Sequence, residues 1–228
     1  MQKRRGRLLA EARRLLARGG YEALNLRDLA QAAGVTVPTI YNLIGRKEDV
    51  LLAVAAGVLS EVEARTAPAR AADPLDQAAA VVETSTRLFA EEPEFYRAAF
   101  LAVEWLDQGG QHHAEVARIY AWVGDLMESG LAACRDAGLI VGDIPPAQMA
   151  ALITRSFRMS CRGWAFGHYD VDEFRRLALG DFYITLCADA VETFRRRLTR
   201  RIATLAAPAA QASTSTGLRA QVHRGESQ

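Results

Sequence analysis

The sequence lacks the features that mark membrane, secreted or metal-bound proteins. Its apolar runs, such as Leu51 to Leu59, fall far short of the roughly 18 residues that span a bilayer. The basic first seven residues lead into an amphipathic segment, not into the apolar stretch of a secretory signal. Cys134, Cys161 and Cys187 are odd in number and form no CxxC pair, which argues against a disulfide framework or a thiolate zinc site. We therefore expect a cytoplasmic protein that has no membrane span.

Glycine, proline and aromatic residues are also sparse. The 228 residues include 17 Gly and 7 Pro, and 7% of them are aromatic, which excludes a collagen-like chain or a long proline-rich linker. Apolar residues make up 50% and charged residues 24%, a balance typical of a globular protein with a real core.

Charge is distributed unevenly along the chain. Residues 1–50 contain ten Lys or Arg and five Asp or Glu, whereas acidic residues are in slight excess over the remainder. A basic head on a mildly acidic body is a weak indication of a polyanionic partner. Within the head, residues 3–7 could form an arm that enters a DNA minor groove or simply a solvated basic tail.

Apolar residues recur at helical spacing through most of the sequence. Short helices are predicted to end at Gly19-Gly20, near Ala33 and near residue 43, and a longer helix to run from Lys47 to about Arg65. Further helical patterns cover residues 75–91, 94–107, 112–137, 146–167 and 171–204, and no segment reads convincingly as a strand. From Ala207 large apolar residues almost disappear, so we predict a disordered tail over 207–228.

The second and third short helices are joined by a glycine turn, as in a helix-turn-helix. Ala30 and Gly34 are small where two such helices would cross, and Thr36 is placed to cap the second helix. Any two short amphipathic helices around an Ala-Gly pair would give a similar pattern. In the helix-turn-helix interpretation the outward residues are Val37, Pro38, Thr39, Tyr41 and Asn42.

The flanking sequence favours that interpretation. The matching pieces are Gly20-Tyr21, Arg27-Asp28-Leu29-Ala30, Ala33-Gly34-Val35-Thr36, Ile40-Tyr41 and Gly45-Arg46-Lys47-Glu48. In this combination, residues 15–51 closely resemble the N-terminal region of the TetR (tetracycline-repressor-like) family of bacterial transcriptional regulators. Leu24, Asn42-Leu43 and Ile44 depart from the residues common in that family.

The resemblance assigns roles to residues of the head. It implies that Tyr41 and Lys47 contact DNA phosphates, and that Arg27 adds a backbone contact. Thr36 would cap the recognition helix. The candidates for contacts with base edges are Val37, Pro38, Thr39 and Asn42.

The resemblance also implies a particular all-α architecture. A three-helix DNA-binding domain over residues 1–48 would be joined by a long helix to a ligand-binding and dimerisation bundle over 49–206.

We expect the dimer to be sealed by apolar stripes on the last two predicted helices, namely Ala150, Ile153, Phe157, Cys161 and Trp164, then Phe174, Leu177, Phe182, Leu186, Ala190 and Phe194. The candidate effector-binding residues are Phe100, Trp105, Tyr120, Trp122, Met127, Phe157 and Trp164, each of which could instead be plain core.

One polar cluster needs a separate interpretation. Glu104, Asp107, His112 and His113 are close in sequence, but the intervening Gly109-Gly110 gives them the spacing of a loop. We expect exposed polar residues there, and we predict no metal and no cofactor.

These observations favour a homodimeric transcriptional regulator, a repressor that leaves its operator DNA when a small, mostly hydrophobic or aromatic effector binds. An alternative is an all-helical enzyme or lipid-binding bundle in which the helix-turn-helix look-alike is structural. No set of nucleophile, base and orienting residue supports an enzyme. A third possibility is a DNA-binding protein that responds to no ligand.

Overall fold

The computed structural model of the chain describes residues 2–67 and 73–206. Those residues form ten α-helices and no β-strand, so the predicted all-α class is confirmed. In chain order the helices are α1 (Gln2–Ala23), α2 (Leu26–Ala33), α3 (Val37–Leu43), α4 (Lys47–Thr66), α5 (Pro74–Glu91), α6 (Pro93–Gln108), α7 (His113–Asp136), α8 (Pro146–Ala165), α9 (Val171–Cys187) and α10 (Glu192–Ala206). None of these ten helices is long and apolar enough to cross a membrane. The predicted tail at 207–228 lies outside the described residues.

Local signals set the ends of the first helices. Gly19 and Gly20 leave the helical conformation, so α1 is kinked where the sequence predicted its end. The Asn25 side chain caps α2 by accepting a hydrogen bond from the Asp28 amide at 2.8 Å. Gly34 ends α2 in the left-handed conformation, with φ 63° and ψ 41°, and its own amide donates back to the end of that helix. This turn directs the chain into α3.

Helix α4 connects the N-terminal helices with the body of the protein. The predicted boundary between residues 48 and 49 falls inside its first turn, so the two regions share a helix. Helix α1 packs along α6 and also contacts α4. One hydrophobic core therefore extends from Leu8 in α1 to Leu198 in α10.

Helix α5 lies at the centre of the body and contacts α4, α6, α7 and α9. It approaches α7 closely at Gly130, where a Cβ atom would lie 2.7 Å from the Ala78 Cα. A larger residue at position 130 would therefore push the two helices apart. Helix α8 packs against α7 and α9, and α10 packs against α9.

The single helix predicted over 171–204 is wrong, because the structure divides it into α9 and α10. The backbone between them pairs with the loop after α7: the Val141 amide donates to the Asp189 carbonyl at 2.7 Å, and the Val191 amide donates to the Leu139 carbonyl at 3.0 Å. The buried Asp189 carboxylate accepts hydrogen bonds from the amides of Gly142 and Asp143. These tertiary bonds replace the helical bonds that local periodicity would favour.

The apolar stripes predicted to seal a dimer are used largely inside the chain. Phe182 is only 1% exposed, and Phe174 and Phe194 are also buried. The prediction that these rings meet a second copy is therefore wrong, because each already packs in its own core. A different face of the same region is exposed, consisting of Leu152, Met159 and Phe166 along α8 and its C-terminal cap and Leu177 and Ile184 on α9.

Candidate functional site

The outer face of α3 is the candidate DNA-binding surface. Ile40 is fully buried beneath the helix, whereas Tyr41 exposes 52% of its surface. The predicted contact residues fall into two groups: Arg27, Thr36, Pro38, Tyr41 and Asn42 are exposed, and Val37, Thr39 and Lys47 are half-buried. All eight thus keep some surface available to a partner.

Thr36 fixes the beginning of α3. Its hydroxyl oxygen accepts a hydrogen bond from the Thr39 amide at 3.4 Å, and the two threonine hydroxyl oxygens lie 2.9 Å apart. Pro38 stands in the first turn, where no helical hydrogen bond is lost. The start of α3 is therefore ordered by local side chains.

Two arginines of α1 lie beside this end of α3. Arg4 and Arg7 line one cleft with Gly34, Thr36 and Thr39, and the Arg7 guanidinium lies 3.4 Å from where a Cβ would sit on Gly34. The sequence suggested a minor-groove arm or a solvated tail at residues 3–7, whereas the structure places them in the first turns of α1. The three-residue spacing of Arg4 and Arg7, which puts both on one helical face, was the available signal.

Lys47 takes part in a stack that joins the head to the body. Its Nζ lies 3.7 Å from the centroid of the Tyr21 ring, a cation–π contact. The other neighbour of Tyr21 is Trp105 of α6, with the two ring centroids 4.5 Å apart. This stack therefore holds the beginning of α4 against the end of α1 and against α6.

Arg13 forms a second connection between head and body. Its guanidinium donates to Glu92 at 2.7 Å, to Glu61 at 3.1 Å and to the Tyr96 hydroxyl at 3.3 Å. The Tyr96 hydroxyl in turn donates to Glu61 at 3.1 Å, and burial raises the pKa of this tyrosine to about 12. Side chains of α1, α4 and α6 thus meet in one hydrogen-bonded group, and Arg13 also lies 4.0 Å from the centroid of the Phe95 ring.

The body contains a partly enclosed cavity of about 120 Å³ between α4, α5, α6, α7 and α8. Its walls are mostly apolar, and α4 contributes Ala55, Val58, Leu59 and Val62. Tyr96, whose hydroxyl reaches Arg13, also lines it. The cavity is thus adjacent to one of the connections between head and body.

Four of the seven predicted effector residues surround this cavity, namely Phe100, Tyr120, Trp122 and Phe157. The other three lie elsewhere. Trp105 is 49% exposed and stacks on Tyr21, while Met127 is core. Trp164 is also buried, and its ring centroid lies 4.9 Å from that of Phe89.

The sequence missed a charged cluster that lies next to the cavity and shares Tyr120 and Arg158 with its wall. Glu104 was expected in an exposed loop, but it lies in α6 and is only 5% exposed. Its carboxylate accepts hydrogen bonds from Tyr120 and Arg158, both at 2.7 Å, and from Arg162 at 3.2 Å. Burial and the bond to Glu104 raise the pKa of Tyr120 far above its usual range, so the phenol stays a donor. The four-residue spacing of the two arginines on α8 was the only sequence signal.

Asp107 extends the cluster. It accepts a hydrogen bond from Arg158 at 2.8 Å, and this bond holds the pKa of Asp107 below its usual range. His113 Nδ1 lies 2.9 Å from the other Asp107 oxygen. Within residues 2–67 and 73–206, no group of three or more His, Cys, Asp or Glu side chains is arranged to hold a metal ion.

Comparison with known proteins gives a match in the head. Residues 8–54 match the family model described as bacterial regulatory proteins, tetR family. The HTH-type transcriptional repressor KstR of Rhodococcus jostii is 28% identical over 127 residues, which cover 56% of this chain and 57% of that protein. The aligned part thus spans little more than half the length of that relative.

Solved structures share the fold across more of the chain. A TetR transcription regulator from Haloarcula marismortui superimposes with a TM-score of 0.71 at 13% identity, over 84% of this chain and 100% of that one. FadR of Thermus thermophilus, a TetR-family repressor in complex with lauroyl-CoA, gives 0.65 at 19% identity, over 82% and 96%. At these identities the structures establish the fold alone. The chain is thus similar to the TetR family in sequence over residues 8–54 and shares the fold of TetR-family structures over more of its length.

Proposed function

We propose that the chain is a cytoplasmic, homodimeric repressor that binds double-stranded operator DNA and is released by a small, mostly hydrophobic or aromatic effector. The observation that carries this proposal is that α4 belongs to both sites. Its first residue is Lys47, a proposed phosphate contact, and residues between Ala55 and Val62 line the cavity. Any ligand that shifts α4 therefore acts on both the DNA-binding surface and the cavity.

The relatives support a ligand-responsive repressor over an enzyme, a lipid-binding bundle or a regulator without a ligand. KstR is a transcriptional repressor, and the Thermus FadR structure holds a ligand with a long apolar acyl chain. Both are regulators, which argues against an all-helical enzyme or a lipid-binding bundle. A regulator that responds to no ligand would have little use for an apolar cavity bounded by α4.

In this proposal residues 1–48 bind DNA and residues 49–206 bind the effector and a second copy. Tyr41 and Lys47 contact phosphates, the latter at the N-terminus of the 20-residue α4. Arg27 contacts the DNA backbone, and Thr36 orders the start of α3. The exposed amide of Asn42 reads a base edge, and Val37, Pro38 and Thr39 make the contacts to thymine methyls or neighbouring groups.

The second copy docks on the exposed apolar face of α8 and α9. Leu152, Met159 and Phe166 follow one another at seven-residue intervals, and Leu177 and Ile184 repeat the same interval on α9. Seven residues are close to two helical turns, so each set forms one stripe. Two helices from each subunit would bury these stripes in a four-helix interface, as in a helix bundle.

Release follows from a shift in population. The cavity wall includes Tyr96, whose hydroxyl bonds to Glu61 of α4 and Arg13 of α1. A ligand that favours one position of α4 and Tyr96 sets the spacing of the two recognition helices in the dimer. If the ligand binds better to the form that cannot fit the operator, it weakens operator binding by some factor. Operator DNA must then weaken ligand binding by the same factor.

Two variants test DNA recognition. An operator would first be selected from random duplex DNA with the purified chain, and affinities measured by fluorescence anisotropy at several salt concentrations. Lys47→Ala should weaken binding to all sequences and lower the salt slope by about one unit, because one phosphate contact is lost. Asn42→Ala should weaken binding to the selected operator by about 1 to 3 kcal/mol and leave binding to random DNA unchanged.

Matched controls are Arg200→Ala and Gln148→Ala, which remove the same kinds of group from exposed positions on α10 and α8. Both should behave as wild type. Unchanged operator affinity in the Lys47 and Asn42 variants would refute the proposed surface.

A further inference from the structure

Two polar side chains of the cavity wall, Tyr120 and Arg158, have their polar ends directed into ion pairs and hydrogen bonds with other residues. Tyr120 donates to Glu104, and the Arg158 guanidinium donates to both Glu104 and Asp107. The Arg158 guanidinium carbon lies 4.1 Å from the centroid of the Tyr120 ring. The Tyr120 hydroxyl and the Nε and Nη2 groups of Arg158 thus already have acceptors within the protein.

Charge at this end of the cavity is balanced. Arg158 and Arg162 face the two carboxylates of Glu104 and Asp107 at 2.7 to 3.2 Å. Burial alone would lower the pKa of Arg158, but its hydrogen bonds to Glu104 and Asp107 outweigh burial and raise it. A ligand carboxylate would therefore meet no cation that lacks a counter-charge.

The other polar end of the cavity is no more favourable to an anion. There Tyr96 contacts Arg13 and Glu61, and Arg65 pairs with Glu61 and Glu91. Together with Glu92, these ion-pairing residues comprise two arginines and three glutamates. A slight acidic excess repels a ligand anion rather than attracting it.

One polar atom at the cavity does lack a partner. Thr154 of α8 lines the cavity, and its hydroxyl oxygen is buried without a hydrogen bond to any residue in the described part of the chain. A buried hydroxyl without a partner is unfavourable. A single ligand hydroxyl or carbonyl near α8 would improve its environment.

From these observations we infer that the cavity takes an uncharged apolar ligand with one oxygen function, such as an alcohol, ketone or ester, and excludes the corresponding free acid. The inference rests on the proposed effector role of the cavity and narrows its chemical class. An ionised carboxylate would lose its hydration on entry and gain no free cation in return.

Matched ligands test the inference on the purified full-length chain. The probes are 1-decanol with decanoate and biphenyl-4-methanol with biphenyl-4-carboxylate, titrated at pH 7.5 by calorimetry. Each alcohol should bind at least tenfold more tightly than its carboxylate. Equal or tighter binding of the carboxylate in either pair would overturn the inference.

A charge-changing variant separates charge balance from simple hydrophobicity. Glu104→Gln leaves Arg158 and Arg162 with one carboxylate between them, so the preference for the alcohol should fall at least tenfold. The milder Asp107→Asn, at a less buried position, should shift the preference in the same direction. The control Glu128→Gln changes an exposed side chain on α7 and should change nothing.

If neither Glu104→Gln nor Asp107→Asn alters the ratio of alcohol affinity to carboxylate affinity, charge balance does not select the ligand and the inference fails. If no probe binds the wild type at all, the effector role of the cavity fails with it. DNA binding by the head would stand in either case, so the two failures are distinguishable.

Discussion

At the scale of single residues, the buried Glu104 holds two polar residues of the cavity wall, Tyr120 and Arg158. A carboxylate that is 5% exposed is stable there because three donors from α7 and α8 surround it. Removing any one partner would leave a buried polar group short of a hydrogen bond. The cluster therefore fixes α6 against α8 while it shapes the cavity.

Asp107 gives this cluster a measurable pH dependence. Its pKa in the folded chain lies below the unfolded value of about 3.9, chiefly because of the hydrogen bond from Arg158. Its contribution to stability is therefore present above pH 4 and is lost as the pH falls through the lowered folded pKa. Asp107→Asn should lower the free energy of unfolding by about 1 to 2 kcal/mol at pH 7, and the difference from wild type should shrink toward pH 3.

Urea unfolding at pH 7 and pH 3 checks this expectation. Asp136→Asn, at an exposed position at the end of α7, is the control and should follow the wild type at both pH values. A deficit in Asp107→Asn that stays constant or grows toward acid pH would contradict the assigned role.

At the scale of elements, the break between α9 and α10 shows how tertiary hydrogen bonds override helical periodicity. Residues 171–204 carry an apolar pattern compatible with one long helix. Asp189 and the backbone on either side of it instead bond to the loop after α7. These contacts orient α10 along α9.

The Asp189 carboxylate should therefore be a main determinant of that corner. Asp189→Ala leaves the amides of Gly142 and Asp143 without their acceptor and should cost about 2 to 3 kcal/mol, or roughly 5 to 10 °C in Tm. This loss of stability is measured by thermal unfolding, with circular dichroism as the probe. Asp125→Ala, at an exposed position on α7, is the control. A loss below about 0.5 kcal/mol would mean that water replaces the carboxylate at little cost.

At the scale of the whole molecule, the exposed and buried faces of α9 carry different roles. Phe182 is 1% exposed, whereas Ile184, two positions further on, is 58% exposed. A charge at Phe182 would damage the core and unfold the subunit. A charge at Ile184 addresses only the proposed contact with a second copy.

Ile184→Glu should therefore give a folded monomer and should weaken operator binding by about 100-fold or more, because the two heads no longer bind together. Sedimentation velocity gives the mass and fluorescence anisotropy gives the affinity. Val141→Glu places the same charge at a similarly exposed apolar residue outside α8 and α9, and it should leave both properties intact. A variant at Ile184 that remains dimeric would rule out this interface.

The sequence by itself determined the parts of the protein that depend on local rules. Capping by Asn25 and Thr36, the left-handed turn at Gly34 and the apolar periodicity set α2 and α3 within about one residue of their observed ends. The exposed face of α3 followed from the same periodicity. Local signals of this kind involve residues within a few positions of one another, so they can be recognised in the sequence alone.

Only the tertiary structure decided which apolar residues share a wall and which charges meet. Phe100, Tyr120, Trp122 and Phe157 converge on one cavity, whereas Trp105 stacks on Tyr21 in the joint between head and body. Glu104 and Arg158 are 54 positions apart in the chain. Helical periodicity tells which face of a helix is apolar but not which neighbour covers it. That choice depends on the packing of all the helices together.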